Sequence, residues 1–199
     1  RSPALPDRRR CAWRRTELCC VAVDPALPFR PVNIALLTVS DTRDLSTDTS
    51  GDILAERIRS AGHHLVIRAI EKDEAQLVAN RLNNWIDDRN VDCVITSGGT
   101  GLTGRDVTPE ALERVRQARD GKDIPGFGEL FRWLSYRAIG TSTVQSRACA
   151  IVAGGTYVFA LPGSNGAVKD GWDGILADQL DSRNRPCNFV ELMPRLRER

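Results

Sequence analysis

The sequence is poor in the residues that most metal and redox sites need. It contains two histidines and one methionine in 199 residues, and its six cysteines include no CxxC pair. Zinc sites combine cysteine and histidine ligands at short spacing, so we expect no zinc. Three of the cysteines (Cys93, Cys149 and Cys187) lie in apolar runs or near the end of the chain. Reduced thiols behave there as small hydrophobic residues, which favours a reducing cytoplasm.

Long apolar runs and a strong charge of one sign are also missing. No stretch approaches the roughly 20 apolar residues of a membrane span, and the run 19–23 is too short to be the core of a secretory signal. The formal net charge of +2 gives no bulk attraction to nucleic acid. We therefore expect neither a membrane nor a nucleic acid as partner.

The basic residues are concentrated at the start of the chain. Residues 1–30 carry seven arginines and three acidic residues, a net charge of +4, which leaves −2 for the remainder. This segment has no sustained periodicity, so we interpret residues 1–31 as a disordered or loosely docked leader and residues 32–199 as one domain. Arginine enrichment also suits a transit sequence, but the few serines and the acidic residues argue against one.

From residue 32 onward, apolar runs alternate with amphipathic segments. Strands are predicted at 32–39, 65–70 and 93–96, and helices at 50–61, after Asp73, and at 109–119. Because each strand is followed by a helix, right-handed βαβ crossovers and a parallel sheet are expected. The pattern predicts an α/β fold.

The second half of the chain adds one antiparallel element. Pro125-Gly126 is expected to break the chain before a helix at 128–139. The runs 148–153 and 157–161 flank Gly154-Gly155, which predicts a hairpin. A last helix is predicted from Pro162-Gly163-Ser164 to about Leu180.

The most informative segment is DCVITSGGTGLTGRDVTPE at 92–110. It consists of a short strand, a glycine loop from Ser97 to Gly101, and a helix that begins at Thr108-Pro109-Glu110. Glycines let backbone amides approach a ligand closely, and a helix N-terminus adds unpaired N–H groups. This pattern predicts an anion site, most simply for phosphate. It matches neither the Walker loop nor the GxGxxG dinucleotide turn, so generic motifs do not identify the ligand.

Several polar residues follow predicted strands and are candidates for the same site. The loops after Val39, Thr96 and Leu161 should lie at the carboxyl edge of the sheet, where open α/β sheets bind ligands. Each candidate also has a structural alternative. Ser40-Asp41 suits a turn pair, Asp106 an ordered turn, and Asp73 and Ser164 helix caps.

The domain resembles the molybdenum cofactor biosynthesis family that includes MoaB, Mog and the G domain of gephyrin. The similar segments are LTVSDTR, SGGTGLTGRDVTPEA, PGFGELFR, LSYRAIGTSTVQSRA and LPGS. The closing LDSRNRPCNF is similar to the MoaB branch in particular. The resemblance implies a three-layer α/β/α sandwich with a mostly parallel sheet, and a homo-oligomer that is a trimer or a dimer of trimers. Ser97 departs mildly from the threonine common in Mog-like members.

The resemblance also implies an activity: binding of molybdopterin and its adenylylation by Mg-ATP with release of pyrophosphate. The alternative is a non-catalytic molybdopterin carrier or assembly subunit of the same pathway. Retention of Asp106, Thr108 and Glu110 favours the enzyme. An unrelated nucleotide-binding module would require the long motif agreement to be chance.

Roles carry over only at matching positions. The resemblance implies catalytic roles for Asp106 and Asp73, with Mg²⁺ at Asp106, because magnesium prefers carboxylate oxygens and substrate phosphates. Arg105 is a weaker phosphate-binding candidate. The residues implied to bind molybdopterin or nucleotide are Ser40, Asp41, Ser97, Gly98, Gly99, Thr100, Gly101, Glu129, Gly163 and Ser164.

Other conspicuous residues have simpler interpretations. Phe127, Leu130, Phe131 and Leu134 are expected in the core or at a subunit interface. His63 and His64 follow Gly62 in a predicted turn and have no catalytic partner in the sequence. We expect both histidines at the surface.

Overall fold

A mixed sheet of six strands forms the middle layer of the computed structural model, which describes residues 22–198. In chain order the strands are β1 (Ala22–Val23), β2 (Asn33–Val39), β3 (His64–Glu71), β4 (Cys93–Ser97), β5 (Lys122–Asp123), β6 (Cys149–Ala153), β7 (Thr156–Leu161) and β8 (Asn184–Arg185). The sheet order is β3-β2-β4-β7-β6-β5, in which β3, β2, β4 and β7 are parallel, and β6 is antiparallel to both of its neighbours, β7 and β5. The predicted fold class is confirmed.

Helices cover both faces of this sheet. They are α1 (Thr49–Ser60), α2 (Ala75–Asp87), α3 (Thr108–Ala118), α4 (Pro125–Ile139), α5 (Asn165–Gly171), α6 (Ala177–Gln179) and α7 (Phe189–Leu192). A π-helical segment, Trp172–Leu176, joins α5 to α6, so the predicted last helix is present with one wider turn. Helix α4 begins at Pro125 and not at residue 128, because the fixed φ of proline suits a first helical turn.

The core consists of two apolar layers, one on each face of the sheet. Side chains alternate along β2, so Ile34 and Leu36 face one layer while Ala35 and Leu37 face the other. The first layer packs against α1, α4 and α5, and the second against α2 and α3. Phe127 and Phe131 are buried in the first layer as expected.

This layering determines where a ligand can enter. Strands β2 and β4 are neighbours, yet the chain leaves β2 for α1 on one face and leaves β4 for α3 on the other. The two loops therefore diverge at the carboxyl edge and open a crevice between them. This is the topological switch point at which open α/β sheets bind ligands.

The described part of the leader packs against the end of the chain. Strand β1 pairs antiparallel with β8, and the Arg30 amide donates to Ser182 Oγ at 2.8 Å. Residues 1–21 lie outside the described residues, so the interpretation of that part of the leader stays a prediction. Between residues 22 and 198 no helix has the length and apolar character needed to cross a bilayer.

His63 is not at the surface, contrary to the sequence-based expectation, whereas His64 is exposed. Only 5% of His63 is accessible, and its Nδ1 accepts a hydrogen bond from the Val32 amide at 3.2 Å. Its ring lies 5.3 Å from that of Phe29 and 6.2 Å from that of Trp172. The turn at Ala61-Gly62 directs this side chain towards Phe29 of the leader, a long-range contact that local sequence does not reveal.

Burial makes His63 a source of pH-dependent stability. Desolvation lowers the pKa of His63 below its usual value; nearby Asp181 opposes the shift and His64 adds to it. The unfolded chain therefore binds the proton more readily than the folded chain, and stability falls as the pH drops through the unfolded pKa of about 6.5. The loss is complete once the pH is below the folded pKa.

We expect His63→Asn to flatten this pH dependence, since the amide oxygen can accept from the Val32 amide without titrating. Urea unfolding at several values between about pH 8 and pH 5 measures the effect. His64→Asn is the matched control and should keep most of the wild-type pH dependence, because burial is the main cause of the His63 shift. Equal slopes for the wild type and His63→Asn would contradict the assignment.

Candidate functional site

The glycine loop crosses the carboxyl edge of the sheet at very close range. Gly98 has φ +109°, and a Cβ at this position would lie 2.3 Å from the Val39 carbonyl oxygen. Its amide donates to the Leu161 carbonyl at 2.9 Å. Gly98 therefore links the ends of β2, β4 and β7, and only glycine fits there.

Helix α3 is tied to the same loop. The Thr108 amide donates to Gly99 O at 2.9 Å and the Thr108 hydroxyl donates to Gly98 O at 2.8 Å. Gly99 has φ +63°, and a Cβ there would lie 2.5 Å from Thr108 Oγ1. Among the described residues, no acceptor pairs with the amides of Gly99 and Thr100. Gly99 is partly exposed, whereas only 2% of Thr100 is accessible, so Gly99 is the more accessible donor for an anion.

Arg147 fixes the second half of the loop and was not singled out from the sequence. Its amide donates to Thr100 O at 2.9 Å, its Nε to Gly101 O at 2.6 Å and its Nη2 to Asp106 O at 2.6 Å. It also forms an ion pair with Glu110 in the first turn of α3. One side chain from the approach to β6 thus holds both ends of the segment 101–106. Its only sequence signal is its place in the STVQSRA segment.

Asp106 is partly buried beside the loop. Its Oδ2 accepts from the Thr103 amide at 2.8 Å and from the Thr103 hydroxyl at 2.7 Å. Burial raises the pKa of Asp106, but the bonds from Thr103, a backbone bond from Gly101 and nearby Arg147 outweigh it, so the net pKa is lowered. Asp106 is therefore ionised at neutral pH, and the turn-ordering role and a ligand-binding role coexist in one side chain.

Asp41 follows β2 and Asp73 follows the neighbouring strand β3, and the two residues form reciprocal hydrogen bonds. The Asp41 amide donates to Asp73 Oδ2 at 2.9 Å, and the Asp73 amide donates to Asp41 Oδ1 at 3.2 Å. The helix-cap alternative for Asp73 is wrong, because Glu74 occupies the N-cap of α2 without a side-chain bond. Asp73 instead approaches the loop, since a Cβ on Gly99 would lie 3.3 Å from its Oδ1.

The electrostatics of these two carboxylates differ. Burial raises the pKa of Asp73, and the charges of Asp41 and Asp106 raise it further against a backbone bond from Asp41 and the charge of Arg105. The hydrogen bond from Arg105, by contrast, lowers the pKa of Asp41 despite some desolvation. Arg105 thus pairs with a carboxylate in this structure.

Most of the remaining candidates lie at the same edge. The Ser40 hydroxyl accepts from the amides of Thr42 and Arg43, so its turn role is confirmed. Ser164 is the N-cap of α5 and accepts from the Ala167 amide at 3.2 Å. Gly163 abuts the loop, since a Cβ on it would lie 3.1 Å from Gly98 Cα.

Glu129 is the exception. It is exposed in α4, and within the described part of the chain no hydrogen bond or ion pair joins it to the glycine loop.

Asp48, the N-cap of α1, is a further residue of this edge that was not singled out from the sequence, and it is fully buried. Its carboxylate accepts from Thr38 Oγ1 at 2.6 Å, Gly51 N at 3.0 Å and Arg68 Nη2 at 3.0 Å. Burial raises the pKa of Asp48, but these bonds outweigh it and lower the net value. The signal in sequence was an aspartate three residues before Gly51 at a helix start.

A shallow cavity of about 370 Å³ opens beside Asp106. Its lining residues are Leu102, Thr103, Gly104, Asp106, Val107, Glu110 and Arg147. Gly99 and Asp73 do not line this cavity, so the carboxyl edge of the sheet has two neighbouring regions: the cavity beside Asp106, and the crevice at Gly99 and Asp73. Among residues 22–198, no group of three or more His, Cys, Asp or Glu side chains is placed to hold a metal ion. A cation here would therefore need ligands from a substrate as well.

The match of this chain to a family model decides its family. Residues 35–182 match the family described as a probable molybdopterin binding domain. The chain belongs to this family of molybdenum cofactor biosynthesis proteins. The suspected similarity to MoaB is confirmed by relatives that carry that name.

Three relatives document the family membership. Molybdenum cofactor biosynthesis protein B of Escherichia coli (strain K12) is 47% identical over 161 residues, which cover 81% of this chain and 92% of that protein. A crystal structure of molybdenum cofactor biosynthesis protein B superposes with a TM-score of 0.75 at 35% identity, covering 85% of this chain and 98% of the other. The tungsten cofactor synthesizing protein MoaB from Pyrococcus furiosus gives a TM-score of 0.66 at 31% identity, with 85% and 99% covered.

The close approach at Gly98 predicts a difference between two glycines of this segment. Gly98→Ala introduces a methyl group against the Val39 carbonyl at positive φ, so we expect a loss of about 2 kcal/mol or more in the free energy of unfolding. Gly104→Ala is the matched control, because no atom lies within 4 Å of its added Cβ, and should change stability by less than about 0.5 kcal/mol. Urea denaturation of both variants measures the difference, and similar losses would contradict it.

Proposed function

We propose that this protein is a molybdopterin adenylyltransferase that acts in the cytoplasm, using Mg-ATP and releasing pyrophosphate. The observation that carries the proposal is the pair of amides at Gly99 and Thr100, which have no acceptor within residues 22–198 and lie beside the carboxylates of Asp73 and Asp106. Amide donors suit phosphate oxygens, and carboxylates suit the accompanying cation. Membership of a molybdopterin-binding family supports the choice of substrate.

The proposed reaction brings two polyanions together. An oxygen of the molybdopterin terminal phosphate attacks the α-phosphorus of ATP, a new P–O bond forms, and the bond from the α-phosphorus to the bridging oxygen breaks. Pyrophosphate leaves with that oxygen and its electron pair. The site must offset the repulsion with preorganised donors and positive charge. Fixed amides of the glycine loop serve this purpose without reorganisation.

The carboxylates fit a magnesium ion that is shared with substrate. Mg²⁺ is usually held by one or two carboxylates together with phosphates and water. Asp106 is ionised, and both its bonds from Thr103 go to Oδ2, while Oδ1 of Asp73 faces Gly99. Asp106 and Asp73 would hold the cation, which would supply charge neutralisation of the substrate phosphates. Arg147 keeps Asp106 beside the loop through the carbonyls of Gly101 and Asp106.

The remaining proposed binding residues surround this centre. Ser40 and Asp41 order the loop after β2, and Asp41 positions Asp73 through the reciprocal amide bonds. Gly163 and Ser164 present the start of α5 at the same edge. Ser97, Gly98 and Gly101 shape the loop itself. Glu129 remains a proposed ligand contact on the basis of the family resemblance alone.

Removal of the Asp106 charge tests the enzyme proposal. Asp106→Asn preserves the size of the side chain and an acceptor for Thr103, but it weakens cation binding. We expect molybdopterin binding to persist while the rate of adenylyl transfer falls by roughly 100-fold or more. The assay measures adenylylated molybdopterin formed from molybdopterin, ATP and Mg²⁺. Asp178→Asn, an exposed aspartate in α6, is the control.

The outcome of that assay distinguishes the enzyme from a carrier. Turnover by Asp106→Asn at the wild-type rate would remove Asp106 from the mechanism. If the wild type bound molybdopterin but formed no product and bound no ATP in calorimetry with Mg²⁺, the protein would be a carrier or assembly subunit instead.

We also propose a homo-oligomer, a trimer or a dimer of trimers. Exposed apolar side chains lie along α4 and the 3-10 helix that follows it (Gly140–Gln145), including Trp133 (54% exposed), Tyr136 (56%) and Val144 (79%). Several large apolar side chains exposed on two consecutive helices favour coverage by another chain.

Tyr136→Glu is expected to shift the protein towards monomer in sedimentation velocity, because it places a charge in that surface. Leu192→Glu, at an exposed leucine of α7, is the control. A monomeric wild type would contradict the proposal, as would an unchanged oligomer in the Tyr136 variant.

A further inference from the structure

Charge is divided across the glycine loop. Asp73 and Asp106 precede α2 and α3, the helices on the second face of the sheet. Arg43 follows β2 and contacts the starts of α1 and α5, the helices on the first face. A substrate in the crevice would therefore meet the carboxylates of Asp73 and Asp106 on one side and the guanidinium of Arg43 on the other. The arginines on the carboxylate side, Arg105 and Arg147, are already paired with Asp41 and Glu110.

The guanidinium of Arg43 is held through one nitrogen. Nη1 donates to Ser50 Oγ at 2.7 Å and to Gly163 O at 3.2 Å. Among the described residues, Nε and Nη2 donate to no acceptor, although the side chain is only 35% exposed. Arginine presents five N–H donors in a rigid fork, so those on Nε and Nη2 remain for another acceptor.

The charge of Arg43 is only partly compensated. Its nearest carboxylate oxygen is Asp48 Oδ1 at 3.7 Å, beyond hydrogen-bond distance. Asp48 already has a closer cation, because Arg68 lies 3.0 Å from Oδ2. Asp48 also accepts bonds from neutral donors of Thr38 and Gly51. Within the described part of the chain, Arg43 is thus a preformed cation with two nitrogens that donate to no acceptor.

Two contacts place this cation beside the loop. Ser50 Oγ, which accepts from Arg43, lies 3.3 Å from Ser97 Oγ at the first position of the loop. Gly163, whose carbonyl also accepts from Arg43, abuts Gly98. A single residue, Ser50 or Gly163, therefore separates the guanidinium from the glycine loop at each contact. The fork of N–H donors matches the geometry of phosphate oxygens.

We propose that Arg43 is a substrate-binding residue that takes a phosphate group on the α1 side of the glycine loop. This inference rests on the proposed function, because it requires a phosphate-bearing substrate in the crevice. The phosphate belongs either to ATP or to the terminal phosphate monoester of molybdopterin. In both cases the positive charge of Arg43 neutralises negative charge on the phosphate. The carboxylates on the other side of the loop cannot do so, because they are anions themselves.

Calorimetric titration of Mg-ATP and, separately, of molybdopterin tests this role. We expect Arg43→Met to weaken binding roughly tenfold or more in at least one arm, which identifies the phosphate, and Arg43→Lys to weaken it less. Binding by the wild type should also decline more steeply with added KCl than binding by Arg43→Met. Arg57→Met is the control, because Arg57 forms a two-bond surface pair with Asp173 away from the loop.

The outcomes separate this inference from the proposed function. One outcome is that Arg43→Met and Arg43→Lys bind Mg-ATP and molybdopterin as tightly as the wild type does. Arg43 then only connects Ser50 to Gly163, and the inference is overturned while the proposed function stands. If the wild type binds neither ligand, both are overturned. Circular dichroism establishes that each variant is folded, and Arg43→Lys retains the charge if Arg43→Met does not fold.

Discussion

The site depends on the close approach of three backbone segments at Gly98. The Val39 carbonyl oxygen lies 2.3 Å from the position that a Cβ on Gly98 would take, and the Leu161 carbonyl accepts a hydrogen bond from the Gly98 amide, so the ends of β2, β4 and β7 are held together. Their loops must then diverge to opposite faces of the sheet. Within residues 22–198 the amides of Gly99 and Thr100 have no acceptor, although Thr100 itself is buried. The close approach at Gly98 therefore accounts both for the crevice and for the loop conformation that leaves these two amides without an acceptor.

Hydrogen bonds around Gly98 hold the glycine loop in one conformation before a ligand binds. Thr108 ties α3 to the glycines, and Arg147 bonds to backbone carbonyls at both ends of the segment 101–106. Buried Asp48 fulfils the same function at the start of α1, where it accepts from Thr38 and is paired with Arg68. Preorganised donors need no rearrangement when charge develops on a substrate, which is the main requirement for chemistry between polyanions.

Much of the fold follows from patterns within short segments. Continuous apolar runs, helical spacing and the Gly154-Gly155 turn predicted the main strands, the helices and the antiparallel hairpin. The two-residue strands β1, β5 and β8 have too few residues to produce a periodic signal, and their pairing depends on distant partners. The burial of His63 has the same cause, because its partners Phe29, Val32 and Trp172 come from other parts of the chain.

The sequence by itself determined the glycine loop, the helix that starts at Thr108, and the placement of Asp106 next to both, because these features lie within 20 consecutive residues. Only the tertiary structure decided which distant side chains complete the site. The clasp between Asp41 and Asp73, the anchor provided by Arg147 and the position of Arg43 arise from the convergence of neighbouring parallel strands at one edge. Strand order is set by the packing of both faces of the sheet, and such packing has no local signature in the chain.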